Sequence, residues 1–167
     1  MNRAPKRVHI TPEDFDLGAE VAALHVDDGG TGAVASFVGV VRQPASGPAL
    51  AALELEHYPG MTERAIEAMV DDAVRRFGLR AARVVHRVGR LAPGAQIVLV
   101  AVSAPHRRAA FQGCEFLMDY LKTQAPFWKK EETADGCARW VDARVEDDAA
   151  LARWGLAPAP NAGVAGR

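Results

Sequence analysis

Apolar and polar residues alternate in two rhythms along this chain, and the rhythm changes where glycine and proline fall. "RVHIT" (7–11) has period two and predicts a first strand. Thr11-Pro12-Glu13-Asp14 has the form of a helix opening, with a cap residue, proline at the first helical position and acids in the first turn. That helix is expected to run to about His25. After the loop "DDGGTG" (27–32), "AVASFVGVVR" (33–42) reads as a mostly buried strand ending at an arginine. The connection "QPASGPA" (43–49) leads to "ALELEHY" (52–58), where period two puts Leu53 and Leu55 on one face and Glu54 and Glu56 on the other.

"PG" (59–60) breaks that strand, and the period becomes 3.6. Ala65, Ile66, Met69, Val70, Ala73, Val74 and Phe77 form one apolar stripe, and Gly78 stands at the C-cap position. "ARVVHRVG" (82–89) and "QIVLVAVSA" (96–104) predict strands around the turn "LAPGA" (91–95). The next helix opens within "SAPHRRAAF" (103–111), carries an apolar stripe of Phe111, Cys114, Leu117, Met118 and Leu121, and stops near Gln124 before Pro126. "FWKKEE" (127–132) and "ARWVDA" (138–143) predict two final strands around "ADG", and "EDDAALARW" (146–154) a short helix. The order β-α-β-β-α-β-β-α-β-β-α predicts one α+β domain with a mixed or antiparallel sheet and flanking helices over 1–154. Residues 155–167 lack periodicity and read as a disordered tail.

Composition narrows the function classes. A length of 167 residues, 49% apolar and 25% charged, fits one soluble domain with a real core. A net charge of −1 gives no general attraction to nucleic acid or an anionic membrane, so any anion site is local. Residues 1–20 lack a signal-peptide layout, and no apolar run approaches a membrane span, which predicts a cytoplasmic location. Cys114 and Cys137 form no CxxC pair or disulfide framework, and the five histidines show no metal-ligand spacing.

The basic residues carry the candidate chemistry. His106, Arg107 and Arg108 crowd a helix N-terminus, where the dipole favours anions. Either the three fan into solvent, or an anion sits among them, and phosphate suits converging N–H groups and guanidinium forks. Arg42 ends an apolar strand beside a Gly/Pro-containing loop, at a sheet edge or cleft mouth. Only four of the 20 Lys plus Arg are lysine, and Lys122, Lys129 and Lys130 fall within nine residues. That clustering is either chance or a need for an amine, which unlike guanidinium can give up a proton. Lys129 follows Phe127 and Trp128, so its stem is expected along aromatic surface, where desolvation suits it to proton transfer. His106 and Lys122 lie 16 residues apart, about 24 Å along a helix at roughly 1.5 Å per residue. One straight helix cannot bring both to a small ligand. A partner molecule bridges them, a second subunit supplies one, or the helix bends.

"FVGVVR" (37–42), "LEHYPGMTE" (55–63), "HRVGRLAPG" (86–94), "SAPHRRAAF" (103–111) and "MDYLKTQAPFWKKE" (118–131) resemble, in unbroken order over about residues 5–154, the large catalytic subunit of molybdopterin synthase. The resemblance implies an α/β-hammerhead-like fold and a sulfurtransferase of molybdenum cofactor biosynthesis that uses no cofactor or metal. Such an enzyme converts cyclic pyranopterin monophosphate (precursor Z) to molybdopterin. Two sulfurs arrive as thiocarboxylates on the C-terminal Gly-Gly of a small ubiquitin-like partner, and the large subunit is a homodimer within a heterotetramer. By position, Lys122 matches the lysine beside the thiocarboxylate, and Lys129 a second essential lysine, candidate acid or base. Arg42, His106 and Arg107 match the substrate-binding set, bordered by Val41, Lys130 and Glu131. Arg144 matches an arginine from the other subunit. Val40 stands where the family commonly has a polar residue, often lysine, so this chain does without that side chain or uses only backbone there. The rival class is a pterin-phosphate or ubiquitin-like-tail binding module without turnover, disfavoured by the presence of both lysines. RNA binding through the 106–108 and 129–130 clusters is disfavoured by the acidic balance.

Overall fold

The computed structural model describes residues 6–141 and 145–157. Its elements run β1 (Val8–Thr11), α1 (Leu17–Ala22), β2 (Ala33–Val40), β3 (Leu50–His57), α2 (Met61–Phe77), β4 (Ala81–Arg87), β5 (Gly89–Leu91), β6 (Gln96–Ala104), α3 (Arg107–Gln124), β7 (Phe127–Thr133), β8 (Ala138–Val141) and α4 (Val145–Ala152). This is the expected mixture in one α+β domain, with one strand more than the sequence pattern suggests.

The strands form two sheets. The first has the order β1-β4-β6-β2, with β1 parallel to β4 and the other pairs antiparallel. Helices α2 and α3 cover one face, burying Ile66, Val70, Phe116 and Leu117 against Val84, Val100 and Val102. Val85, Leu99 and Ala101 on the other face meet Phe15, Val21 and Leu24 around α1. The second sheet is antiparallel in the order β5-β3-β7-β8. Its inner face carries Leu53 and Leu55, which pack with Leu50, Leu91 and Val41. Val41 therefore ties the end of the first sheet to the second.

Three local expectations are corrected. Thr11 ends β1 instead of capping a helix: its carbonyl accepts from the Val88 N–H (3.0 Å) and its Oγ1 from the Glu13 N–H (3.1 Å). Asp16 is the cap, accepting from the Ala19 N–H at 2.8 Å, so α1 is only six residues long. The segment expected as one strand over 82–89 divides. The chain turns at Gly89 (φ +85°) and enters the second sheet as β5, pairing Leu91 with Leu53. In α3 the buried stripe is Ala110, Gly113, Cys114, Leu117 and Leu121, with Phe116 and Met118 beside it. Phe111 is rotated out and 67% exposed. Helix α2, its Gly78 cap (φ +64°) and β6 match the pattern closely. Of the expected tail, Leu156 packs against the core, and residues 158–167 lie outside the described residues. No helix among the described residues is long and apolar enough to cross a membrane.

Candidate active site

Helix α3 organises the basic residues, and it separates them. It is one continuous helix lying along β6 and β2. The ladder pairs Ala33 with Ala104 at one end of β2 and Val40 with Gln96 at the other. The N-terminus of α3 follows Ala104, so His106 and Arg107 sit at one end of the sheet. Arg42, just past Val40, sits at the opposite end, roughly 25 Å away at about 3.3 Å per strand residue. Helix α3 returns along the sheet, so Lys122 lies at the Arg42 end.

At the α3 N-terminus, His106 is the N-cap residue, and its side chain makes no capping bond. His106, Arg107 and Arg108 are all exposed. Elsewhere most described arginines have carboxylate partners, Arg64 and Arg76 excepted: Arg83 with Glu20, Arg90 with Glu132, Arg139 with Glu131, Arg153 with Glu115 and Asp119. Among the described residues His106, Arg107, Arg108 and Arg42 have none. Cationic groups held at the positive end of a helix dipole without an acid nearby are poised for an anion.

The opposite end is densely connected. His57, in β3, is the ladder partner of Phe127 in β7, and Phe127 stacks on His86 at the end of β4 (centroids 3.8 Å, planes 17° apart). His86 is 9% exposed, with Nδ1 2.8 Å from the Arg87 carbonyl. Burial pushes its pKa down to about 4, opposed by the bond to Arg87 and reinforced by the positive charges of Lys122 and His57. It is a neutral imidazole at pH 7. Glu63 holds the start of α2, its carboxylate accepting from the Gly60 N–H (2.6 Å) and lying 3.7 Å from His57 Nε2. Gly60, at φ +82°, makes the turn that a side chain would strain.

Neighbouring lysines on β7 take opposite faces. Lys129 pairs with Leu55 and Glu131 with Leu53, so both lie on the inner face of the second sheet, the face that meets Val41. Lys130 is on the outer face, ion-paired with Glu54 (3.0 Å) and 5.4 Å above the Trp140 ring. Glu131 meets Arg139 at 3.2 Å. Lys122 is exposed in the last turn of α3. Val40 is 51% exposed beyond a register shift in β2. Val41 is buried, and both its backbone groups are engaged: its N–H donates to the Ala95 carbonyl (2.9 Å) and its carbonyl accepts from Gly94 (2.7 Å).

One chain thus gathers Arg42, Lys122, Lys129 and Glu131 near one junction, turns Lys130 to the outside of its sheet and leaves His106 and Arg107 at the far end. Arg144 lies outside the described residues. Two clefts, of about 250 and 380 Å³, flank α1, and none of the candidate residues lines them. Cys114 is buried, its thiol 3.8 Å from the Val100 carbonyl and pushed up to about 11 by burial, so it is not a nucleophile at neutral pH. The sequence reading had not singled out His57, Thr62 and His86 for this junction. The signal was available, since all three fall inside the strings that carry the resemblance.

Fold and site together define a single α+β domain with exposed basic groups at both ends of one helix. The chain belongs to the MoaE family: the family described as MoaE protein matches residues 10–124. It is 59% identical over 149 residues to the molybdopterin synthase catalytic subunit of Ralstonia nicotianae, spanning 89% of this chain and 84% of that one. Among solved structures it is similar to the molybdopterin biosynthesis MoaE protein from Burkholderia ambifaria (59% identity, TM-score 0.77, 89% of this chain and 97% of that one). It is likewise similar to molybdopterin synthase from Staphylococcus aureus (31% identity, TM-score 0.76, 82% and 98%).

Proposed function

We propose that this protein transfers sulfur to cyclic pyranopterin monophosphate, taking it twice from the C-terminal thiocarboxylate of a small ubiquitin-like partner to yield molybdopterin. The observation that carries this reading is the placement of two amines, Lys122 and Lys129, on the elements either side of one half-buried connector, at the sheet end that also bears Arg42. A thiocarboxylate is anionic and already activated, so the protein needs to hold it, hold the pterin and move protons. A cysteine nucleophile is not required, consistent with the buried, protonated Cys114.

Lys122, close enough for its charge to act on His86, positions and polarises the incoming thiocarboxylate. The thiocarboxylate sulfur attacks a side-chain carbon of the pterin, forming a C–S bond as a C–O bond at that carbon breaks and the departing oxygen takes up a proton. Water then cleaves the acyl–sulfur bond of the resulting thioester. Sulfur stays on the pterin and the partner leaves as a carboxylate. Lys129, on the inner face of its sheet, serves as acid or base for these steps and for opening the cyclic phosphate. Arg42 contributes to phosphate binding.

His106 and Arg107 lie too far along α3 to reach the same ligand within one chain. A homodimer, carrying one small partner per subunit, resolves this: the second copy brings its α3 N-terminus to the first copy's lysines, and the basic groups converge on one phosphate. The test is reconstitution with thiocarboxylated partner and precursor Z. Lys122→Ala and Lys129→Ala are each expected to lower product formation by about 10²–10⁴-fold, with the dimer intact by analytical ultracentrifugation. Near-normal turnover in both variants overturns the assignment.

A further inference from the structure

The connector Ala125–Phe127 joins the helix that carries Lys122 to the strand that carries Lys129, and two distant side chains hold it. Thr62, in the first turn of α2, is fully buried. Its hydroxyl accepts from the Tyr58 N–H (2.9 Å) and donates to the Pro126 carbonyl (3.1 Å), 64 residues away. His86 comes from the other sheet and stacks on Phe127, its ring fixed by the Nδ1–H donated to the Arg87 carbonyl. Within the connector, the Phe127 N–H donates to the Ala125 carbonyl at 2.9 Å.

The residue types fit the task. Proline brings a carbonyl and no N–H, so the half-buried Pro126 presents only an acceptor, which a donor can fasten. Threonine supplies donor and acceptor from one atom, which links the β3–α2 turn to the connector. Valine has the same shape but would leave the Tyr58 N–H and the Pro126 carbonyl without that partner. The charged groups facing His86 are Lys122 from α3 and His57 from β3, both cationic when protonated, so a neutral ring is the form that stays stacked.

We propose that Thr62 and His86 are positioning residues for the sulfur transfer: they clamp the 125–127 connector from two sides and so set the separation and direction of the Lys122 and Lys129 amines. The proposal rests on the reading of the two lysines given above. Neither clamp residue needs to touch substrate. Misplacing reacting groups by about 1 Å is enough to cost on the order of 100-fold in rate.

The experiment compares wild type, Thr62→Val and Thr62→Ser in the complete assembly with thiocarboxylated partner and precursor Z, at a temperature where circular dichroism shows all three fully folded. Thr62→Val is expected to lower kcat about tenfold or more while KM for precursor Z changes less than about twofold, and Thr62→Ser to recover most of the loss. Hydrogen exchange of the 122–129 amides should quicken in Thr62→Val and stay near wild type in Thr62→Ser. His86→Ala should behave as Thr62→Val does, and His86→Phe, which keeps the stack, should recover. Unchanged kcat in folded Thr62→Val, or equal losses in the Val and Ser variants, overturns the proposal. Absence of product from the wild-type assembly strikes the sulfur-transfer reading instead. The clamp is then judged by exchange alone, and equal protection in wild type and Thr62→Val overturns it.

Discussion

The two ends of α3 are built on opposite principles. At the C-terminal end, Lys122 is followed by a connector fastened by Thr62, His86 and the Phe127–His57 ladder pair. At the N-terminal end, His106 leaves its helix uncapped, and Arg107 and Arg108 stand in solvent without carboxylates. The first end contributes stability in the isolated chain. The second forgoes it, since a serine or aspartate at the N-cap would stabilise α3. Under the proposed function the two ends divide the work: the lysine end is preorganised by the chain itself, and the arginine end is completed by an anion presented from outside.

The sharpest way to break this comparison is to mix chains. If the two ends meet only across a dimer, Arg107→Ala and Lys129→Ala chains, each nearly inactive alone, should regain roughly a quarter of wild-type turnover when allowed to exchange subunits, because half of the sites in each mixed dimer carry both wild-type groups. No regain would mean that both ends serve one site within a single chain, or that no dimer forms.

Next in size is an acid-sensitivity of the fastened end. His86 titrates near 4 in the fold, below its ordinary 6.5, so the unfolded chain takes up a proton first as pH falls. The stability it confers is complete above 6.5 and declines as pH drops from there to about 4, by up to about 3 kcal/mol. Denaturant unfolding at pH 7 and pH 4.5 should show a smaller difference in His86→Phe than in wild type. An identical pH dependence would contradict a buried neutral imidazole.

The smallest effect lies at the open end. His106→Ser supplies the absent cap and is expected to raise stability by about 0.5–1 kcal/mol in thermal unfolding, while weakening binding of precursor Z. A variant that is neither more stable nor weaker in binding would remove the trade between stability and anion binding.

What could be read from the chain follows the range of the forces involved. Helix α2 was visible because Ile66, Met69, Val70 and Ala73 share a face and Gly78 closes it, all within one local period. Strand β5 escaped because three residues between two turn signals carry no period of their own. Its place is fixed by pairing with β3 about 36 residues earlier in sequence. The lysine cluster was legible, and so was the impossibility of joining His106 to Lys122 along one rod. The division between Lys129 and Lys130 follows from alternation in β7, but which face is inner depends on Leu53 and Leu55, a tertiary fact. The Thr62–Pro126 bond spans 64 residues and has no local signature.

Gly32 lies under the open end of α3. Its N–H donates to the Ala104 carbonyl at 3.0 Å, and the Pro105 carbonyl oxygen lies 2.2 Å from where a Cβ would stand. Only a residue without a side chain lets the two segments seat so closely, and the backbone under His106 and Arg107 is anchored by that seat. Under the proposed function, an arriving phosphate has to immobilise long side chains on a finished platform, with no loop to order, and the entropy lost on capture is confined to their rotamers.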